Sequence, residues 1–288
     1  MDREELALEV AWNKYHQLLE RLETLQSVVV AFSGGVDSTF LLRAAVTALG
    51  IDNVLAVTAD SETYPERERD AAIALAEEMG AKHVALKTSE LNIPGYAENP
   101  VNRCYFCKNE LFSHLIPIAD EYALNQVVFG AIADDLGDHR PGLQAAKERG
   151  VLAPLQDVML YKREIRYLSK ELGLRTWDKP SLACLSSRIP YGEIITERKL
   201  NMVDQAEFFL TQLGLRQVRV RHHDSLARIE VPREHIVEVA QMADMITTKL
   251  VEIGYRYVAL DLAGYRTGSL NEVLDGRSTA NSNGHSLV

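Results

Sequence analysis

The chain has 288 residues, enough for one large domain or two modest ones, with an ordinary apolar share of 47% and a charged share of 25%. A net charge of −10 excludes a broadly basic nucleic-acid binder. No apolar run is long enough to cross a bilayer, and the Glu-rich start carries no basic-plus-apolar leader. A cytoplasmic protein is expected, whose cysteines do not form structural disulfides.

Residues 4–23 read as an amphipathic helix. Strands and helices then alternate: strand 28–32, helix 39–49, strand 54–58, helix 65–79, strand 83–87, helix 105–122, strand 127–130 and helix 162–172. Alternation of this kind predicts a parallel sheet with helices on both faces, and ligands at the carboxyl ends of its strands. The pattern changes near Tyr191. Helix 196–213, strands 217–222 and 226–231, helix 233–253 and strand 256–260 predict a smaller α+β domain. Two similar joints, Leu213-Gly214-Leu215-Arg216 and Ile253-Gly254-Tyr255-Arg256, read either as an internal repeat or as ordinary helix–Gly–strand turns. The expected division is 1–190, 191–276 and a disordered Ser/Asn/Gly-rich tail over 277–288.

The first strand runs into Ser33-Gly34-Gly35-Val36-Asp37-Ser38 and then a helix. Glycines let the backbone approach a phosphate, and the free amides of the first helical turn point at it. Ser33, Ser38 and Thr39 add hydroxyls. No Gly-Lys-Ser/Thr follows, so this is not a Walker A loop. The string resembles the PP-loop of the ATP pyrophosphatases, an adenine nucleotide alpha hydrolase-like α/β fold. That resemblance implies cleavage of ATP to AMP and pyrophosphate, with AMP placed on a substrate oxygen.

Cys104-Tyr105-Phe106-Cys107 and Cys184 are the three cysteines. By spacing alone they read as a redox pair, half a zinc site, part of an iron–sulfur site or inert thiols. Asp138-His139-Arg140-Pro141-Gly142, Ser186-Ser187-Arg188-Ile189-Pro190-Tyr191-Gly192, Arg219-Val220-Arg221, Ala227-Arg228-Ile229-Glu230 and Leu260-Asp261-Leu262-Ala263-Gly264-Tyr265-Arg266 narrow the choice. Together with the PP-loop they resemble the LarE family of sulfur transferases, which make the nickel-pincer cofactor of lactate racemase. The family adenylates the carboxylates of pyridinium-3,5-biscarboxylic acid mononucleotide and replaces oxygen by sulfur. In its single-cysteine branch the donor cysteine would fall at Ala183. The resemblance therefore implies the three-cysteine branch, with Cys104, Cys107 and Cys184 holding a [4Fe-4S] cluster. Cys184 as a sacrificial sulfur donor, or thiolation of tRNA, are the alternatives.

Carried onto this chain, the resemblance implies ATP and Mg²⁺ at Ser33, Gly34, Gly35, Val36, Asp37 and Ser38. Ala31, Val57, Thr58 and Gly130 would surround the adenine nucleotide. Asp37, Lys108, Asp135, Ser187 and Arg188 are the expected catalytic residues, with fixed cations stabilising developing negative charge. Strand alternation puts Arg219 and Arg221 on one face, where they would either fork onto the substrate phosphate or pair with Glu230 as an exposed salt-bridged face. Asp138, Glu207 and Glu230 are further metal or substrate candidates. Expected partners are a nucleotide substrate, a sulfur-donating molecule or protein, and further copies of the chain, but no nucleic acid or membrane.

Overall fold

The computed structural model describes residues 3–137, 141–181 and 183–266, with side chains from residue 8 on. The chain divides into two compact units, one of Met1–Cys184 with Ile194–Glu197, the other of Leu185–Glu193 with the chain from Arg198 on.

In the first unit the order is α1 (Arg3–Glu23), β1 (Val28–Ala31), α2 (Val36–Leu49), β2 (Val54–Asp60), α3 (Glu66–Glu78), β3 (Lys82–Lys87), α4 (Arg103–Glu121), β4 (Gln126–Phe129), α5 (Pro141–Glu148), α6 (Pro154–Asp157) and α7 (Lys162–Glu171). The helices α5 and α6 have no counterpart among the expected elements. The strands form one sheet in the order β3-β2-β1-β4, and every pairing in it is parallel. Val28 and Val30 face a core with Leu18, Phe40, Leu41 and Ile165. Val29 faces the other way, with Leu55, Val57, Phe112 and Leu115. Burial on both faces explains why these strands are continuous apolar runs rather than alternating ones. The strand order reverses between β1 and β4, which makes the mouth between their carboxyl ends the expected ligand crevice. The PP-loop follows β1, and Gly130 follows β4.

The second unit holds nearly all of α8 (Glu197–Gln212), then β5 (Arg219–His223), β6 (Leu226–Glu230), α9 (Ile236–Gln241), α10 (Ala243–Ile253) and β7 (Tyr257–Leu260). β5 pairs antiparallel with β6, and β6 pairs parallel with β7. Met202, Ala206, Leu210, Val220, Ile229, Ile246 and Leu250 close its core. The helix expected over 233–253 is instead a 3₁₀ turn, Arg233–His235, followed by two helices that part at Met242. Apolar spacing runs through the break without Gly or Pro, so nothing in the pattern marks it. The expected tail over 277–288 lies outside the described residues.

No described helix is long and apolar enough to cross a membrane.

Candidate functional site

The PP-loop lies between β1 and α2. Gly34 takes a φ of +58°, and a Cβ there would stand 2.9 Å from the Cβ of Ala72 on α3. Only glycine holds this turn without strain. The Ser33 and Ser38 hydroxyls are 3.1 Å apart, and Ser33 N donates to Ser38 Oγ at 3.2 Å. The phenol of Tyr64 donates to Ser33 O at 2.7 Å, and Lys179 Nζ donates to Gly34 O at 3.0 Å. Burial pushes the Tyr64 phenol up, so it remains a donor at neutral pH. Lys179 also pairs with Glu68 at 2.8 Å. A Cβ on Gly130 would meet Ser38 N at 3.1 Å, so the end of β4 packs directly on the first turn of α2. Thr39, expected as a further donor, is fully buried and lines a cavity formed with α3 and the end of α7.

Asp37 sits in the first turn of α2, where the helix dipole favours its negative charge. Its Oδ2 accepts from Lys162 Nζ, at the start of α7. Its Oδ1 is buried and has no partner among the described residues. Burial raises the Asp37 pKa, Lys162 pulls it back, and Asp135 pushes it up again. A buried carboxylate oxygen left open beside a phosphate-type loop is a donor that Mg²⁺ would take. Asp135 Oδ2 accepts from Ile132 N at 3.0 Å, and Asp134 Oδ2 accepts from Lys162 N at 2.7 Å. The turn 133–135 therefore fixes the base of Lys162 and faces Asp37.

Ala31 ends β1, and Val57 and Thr58 lie beside it in the middle of β2, with Ala31 opposite Val57. Val57 and Thr58 are buried, and the Thr58 hydroxyl bonds His83 Nε2 at 2.9 Å. Cys104 and Cys107 stand one turn apart on α4, Cys104 exposed and Cys107 half-buried. Burial pushes the Cys107 thiol well up, and the charges of Glu90, Cys184 and Cys104 push the same way. Cys107 Sγ points to Glu90 Oε1 at 3.9 Å, while Glu90 Oε2 is buried without a partner among the described residues. Among the described residues no group of three His, Cys, Asp or Glu is set up to hold a metal. Lys108, the next residue, lies with its ammonium 5.9 Å from the Phe112 ring centroid, and its stem is against Gly142. Asp138 lies outside the described residues.

The second unit carries a separate cluster of charge. Arg188 is 1% exposed and grips Glu207 with two bonds, Nε to Oε1 at 2.9 Å and Nη2 to Oε2 at 2.8 Å. Its Nη1 donates to Ser187 Oγ at 2.8 Å. Glu207 also accepts from Val220 N at 2.9 Å. Burial acts to raise the Glu207 pKa, but Arg188, Arg219 and this amide outweigh it and hold the carboxyl low. Arg221 pairs with Glu230 at 2.8 Å and donates to Ser187 O at 2.9 Å. Arg219 lies over the Tyr265 ring at 5.6 Å. Arg219, Arg221 and Glu230 are all buried, so the pairing with Glu230 exists but on an interior face rather than an exposed one. Burial and the neighbouring charges of Arg188 and Arg221 lower the Arg219 pKa. Arg228 also pairs with Glu230, at 3.2 Å, and with Asp261, so four arginines share one field with three carboxylates, a potential suited to an anion.

Lys162, Lys179, Tyr64 and Glu90 were not among the expected site residues. Lys162 and Lys179 reach the loop from 125 and 145 residues away, and no local motif marks them.

The NAD synthase family model matches residues 12–96, the stretch that carries the PP-loop. An NH(3)-dependent NAD(+) synthetase of Hyperthermus butylicus is 28% identical over 66% of this chain and 70% of its own. An uncharacterised protein of Synechocystis sp. is 46% identical over 91% of this chain and 98% of its own. A pyridinium-3,5-bisthiocarboxylic acid mononucleotide synthase of Lactiplantibacillus plantarum is 40% identical over 89% of this chain and 93% of its own. Similarity of that depth across both units, on a parallel sheet bearing a PP-loop, decides the matter: the chain belongs to the LarE family of pyridinium-3,5-bisthiocarboxylic acid mononucleotide synthases, ATP-using sulfur transferases of the PP-loop fold.

Proposed function

We propose that this enzyme adenylates the two carboxylates of pyridinium-3,5-biscarboxylic acid mononucleotide in turn and exchanges one oxygen of each for sulfur. The observation that carries the reading is the open, buried Oδ1 of Asp37 beside the PP-loop. A substrate carboxylate oxygen attacks the α-phosphorus of ATP, the bond to the β-phosphate oxygen breaks, and pyrophosphate leaves. The loop amides with Ser33 and Ser38 hold the departing phosphates. Asp37 would hold Mg²⁺ on Oδ1, where the ion would supply charge neutralisation for the departing pyrophosphate. Lys162 holds Oδ2 in place, and Asp135 braces the turn whose Asp134 accepts from Lys162 N. Ala31, Val57, Thr58 and Gly130 bound the adenosine. A sulfur nucleophile then adds to the acyl carbon, the carbon–oxygen bond to AMP breaks, and AMP departs with that oxygen.

For the sulfur half, Cys104, Cys107 and Cys184 would hold a [4Fe-4S] cluster. What supports this reading is the donor set: three thiols in one unit, two of them one turn apart on α4, thiolates being the usual cluster ligands. When bound, the cluster supplies sulfide as the nucleophile. Lys108 stands beside Cys107 as a cation for developing charge. Arg219 and Arg221, with Arg188 on Glu207, offer the excess positive field for the substrate phosphate, and Glu230 orients Arg221. Asp138 is the remaining metal or substrate contact in this reading, Glu207 is committed to Arg188 and the Val220 amide, and Ser187 positions Arg188. The enzyme works in the cytoplasm as a homo-oligomer supplied with sulfur by a small molecule or a protein.

A second reading is favoured by the lack of a ready three-ligand group among the described residues. Cys184 would then give up its own sulfur. Anaerobic purification with iron and sulfide quantification decides between them, alongside substrate-dependent release of AMP and pyrophosphate. About four irons per chain and repeated turnover support the cluster. An iron-free enzyme that stops after Cys184 has lost one sulfur, by mass, supports sacrifice. AMP and pyrophosphate released without the dicarboxylate would sink both.

A further inference from the structure

The two sides of α2 do different things. Ser38 faces the PP-loop, whereas Thr39 and Arg43, one turn apart, line a cavity of about 140 Å³ with Leu75 and Glu78 of α3 and the turn at Gly173 and Arg175. The Thr39 hydroxyl is fully buried and has no hydrogen-bond partner among the described residues. The Arg43 Nε is buried and equally without one. Glu78 is the carboxylate on this wall, and its charge is taken by Arg175. The helix end that borders the cavity is closed on itself, with Leu174 N donating to Ser169 O at 2.8 Å and Gly173 N to Lys170 O at 3.0 Å. The wall therefore holds a hydroxyl and a guanidinium nitrogen that are buried without a partner among the described residues.

We propose that this cavity binds a small oxyanion of the size and charge of inorganic phosphate. The charged residues of the lining are Arg43, Arg175 and one carboxylate, Glu78, so the wall carries one positive charge in excess, which an anion answers and water does not. A guanidinium edge matches two oxygens of one tetrahedral anion, and a third oxygen accepts from Thr39. The volume is well below the several hundred Å³ of a nucleotide pocket, so a whole ATP is excluded. This site is separate from the PP-loop, on the opposite side of the same helix.

Inorganic phosphate titrated calorimetrically into the full chain tests it, with a saturating non-hydrolysable ATP analogue filling the PP-loop. One phosphate per chain is expected. Arg43→Gln should weaken it by about tenfold or more and Thr39→Val by about threefold, as loss of a charged and a neutral hydrogen bond implies. Affinity for the ATP analogue should be unchanged in Arg43→Gln, and circular dichroism melts of both variants check that they fold. No phosphate heat in the wild type, or equal phosphate affinity in wild type and both folded variants, overturns the proposal.

Discussion

Lys162 and Asp37 show how far apart in the chain a site's chemistry can lie. The lysine holds one oxygen of the half-buried carboxylate and leaves the other, which is buried, open. Lys162→Met should cut ATP-dependent pyrophosphate release by about a hundredfold, the scale of losing one fixed charge at a reacting centre. Because burial already raises the Asp37 pKa and Lys162 opposes it, the acidic limb of the pH–rate profile should also move to higher pH. An unchanged acidic limb would mean that Asp37 is not the group that titrates. Gly34 makes a different kind of demand. Gly34→Ala forces a side chain into a φ of +58° against Ala72, which should cost about 1–3 kcal/mol in urea unfolding and weaken ATP binding. The glycines and serines of this loop were legible in the sequence because a strand, a turn and a helix start are consecutive. Lys162, Lys179 and Tyr64 were not, because each arrives from another element and carries no local signature.

At the scale of elements, β5 is the informative strand. Its alternation was readable, with Arg219 and Arg221 on one side and Val220 and His222 on the other. What could not be read was that both sides are buried. Period-two alternation of polar and apolar residues normally means one wet face, and here Glu207 from α8 and Glu230 from β6 replace the water. Arg188→Met leaves Glu207 buried without its main partner, and should destabilise by about 3–5 kcal/mol. Arg188→Met combined with Glu207→Met should cost clearly less, which a double-mutant cycle in urea will show. The other face gives a pH signature. Burial lowers the His222 pKa from 6.5 to about 4, so the unfolded chain takes up the proton first as pH falls. Stability from this residue is whole above pH 6.5, declines between 6.5 and 4, and is gone below, on the order of 3 kcal/mol. His222→Gln should flatten the urea midpoint across that window. The break at Met242 shows the same limit of pattern reading, since apolar spacing continues straight through it.

Over the whole molecule, the segments to which the proposed activation and sulfur-delivery steps are assigned lie close in sequence. Lys179 bonds the carbonyl of Gly34 and pairs with Glu68, so it straps the PP-loop to α3. Cys184 follows only five positions later. Five extended residues reach about 17 Å at most, so the third thiol is on a short leash tied to the phosphate loop. A displacement of Lys179 beyond that span would have to carry Cys184 with it. A Gly-Ser-Gly insertion after Ser181 should spare pyrophosphate release while abolishing sulfur incorporation, followed by mass spectrometry of the product. In the proposed reaction, chain length alone would then limit how far the sulfur half could part from the activating half.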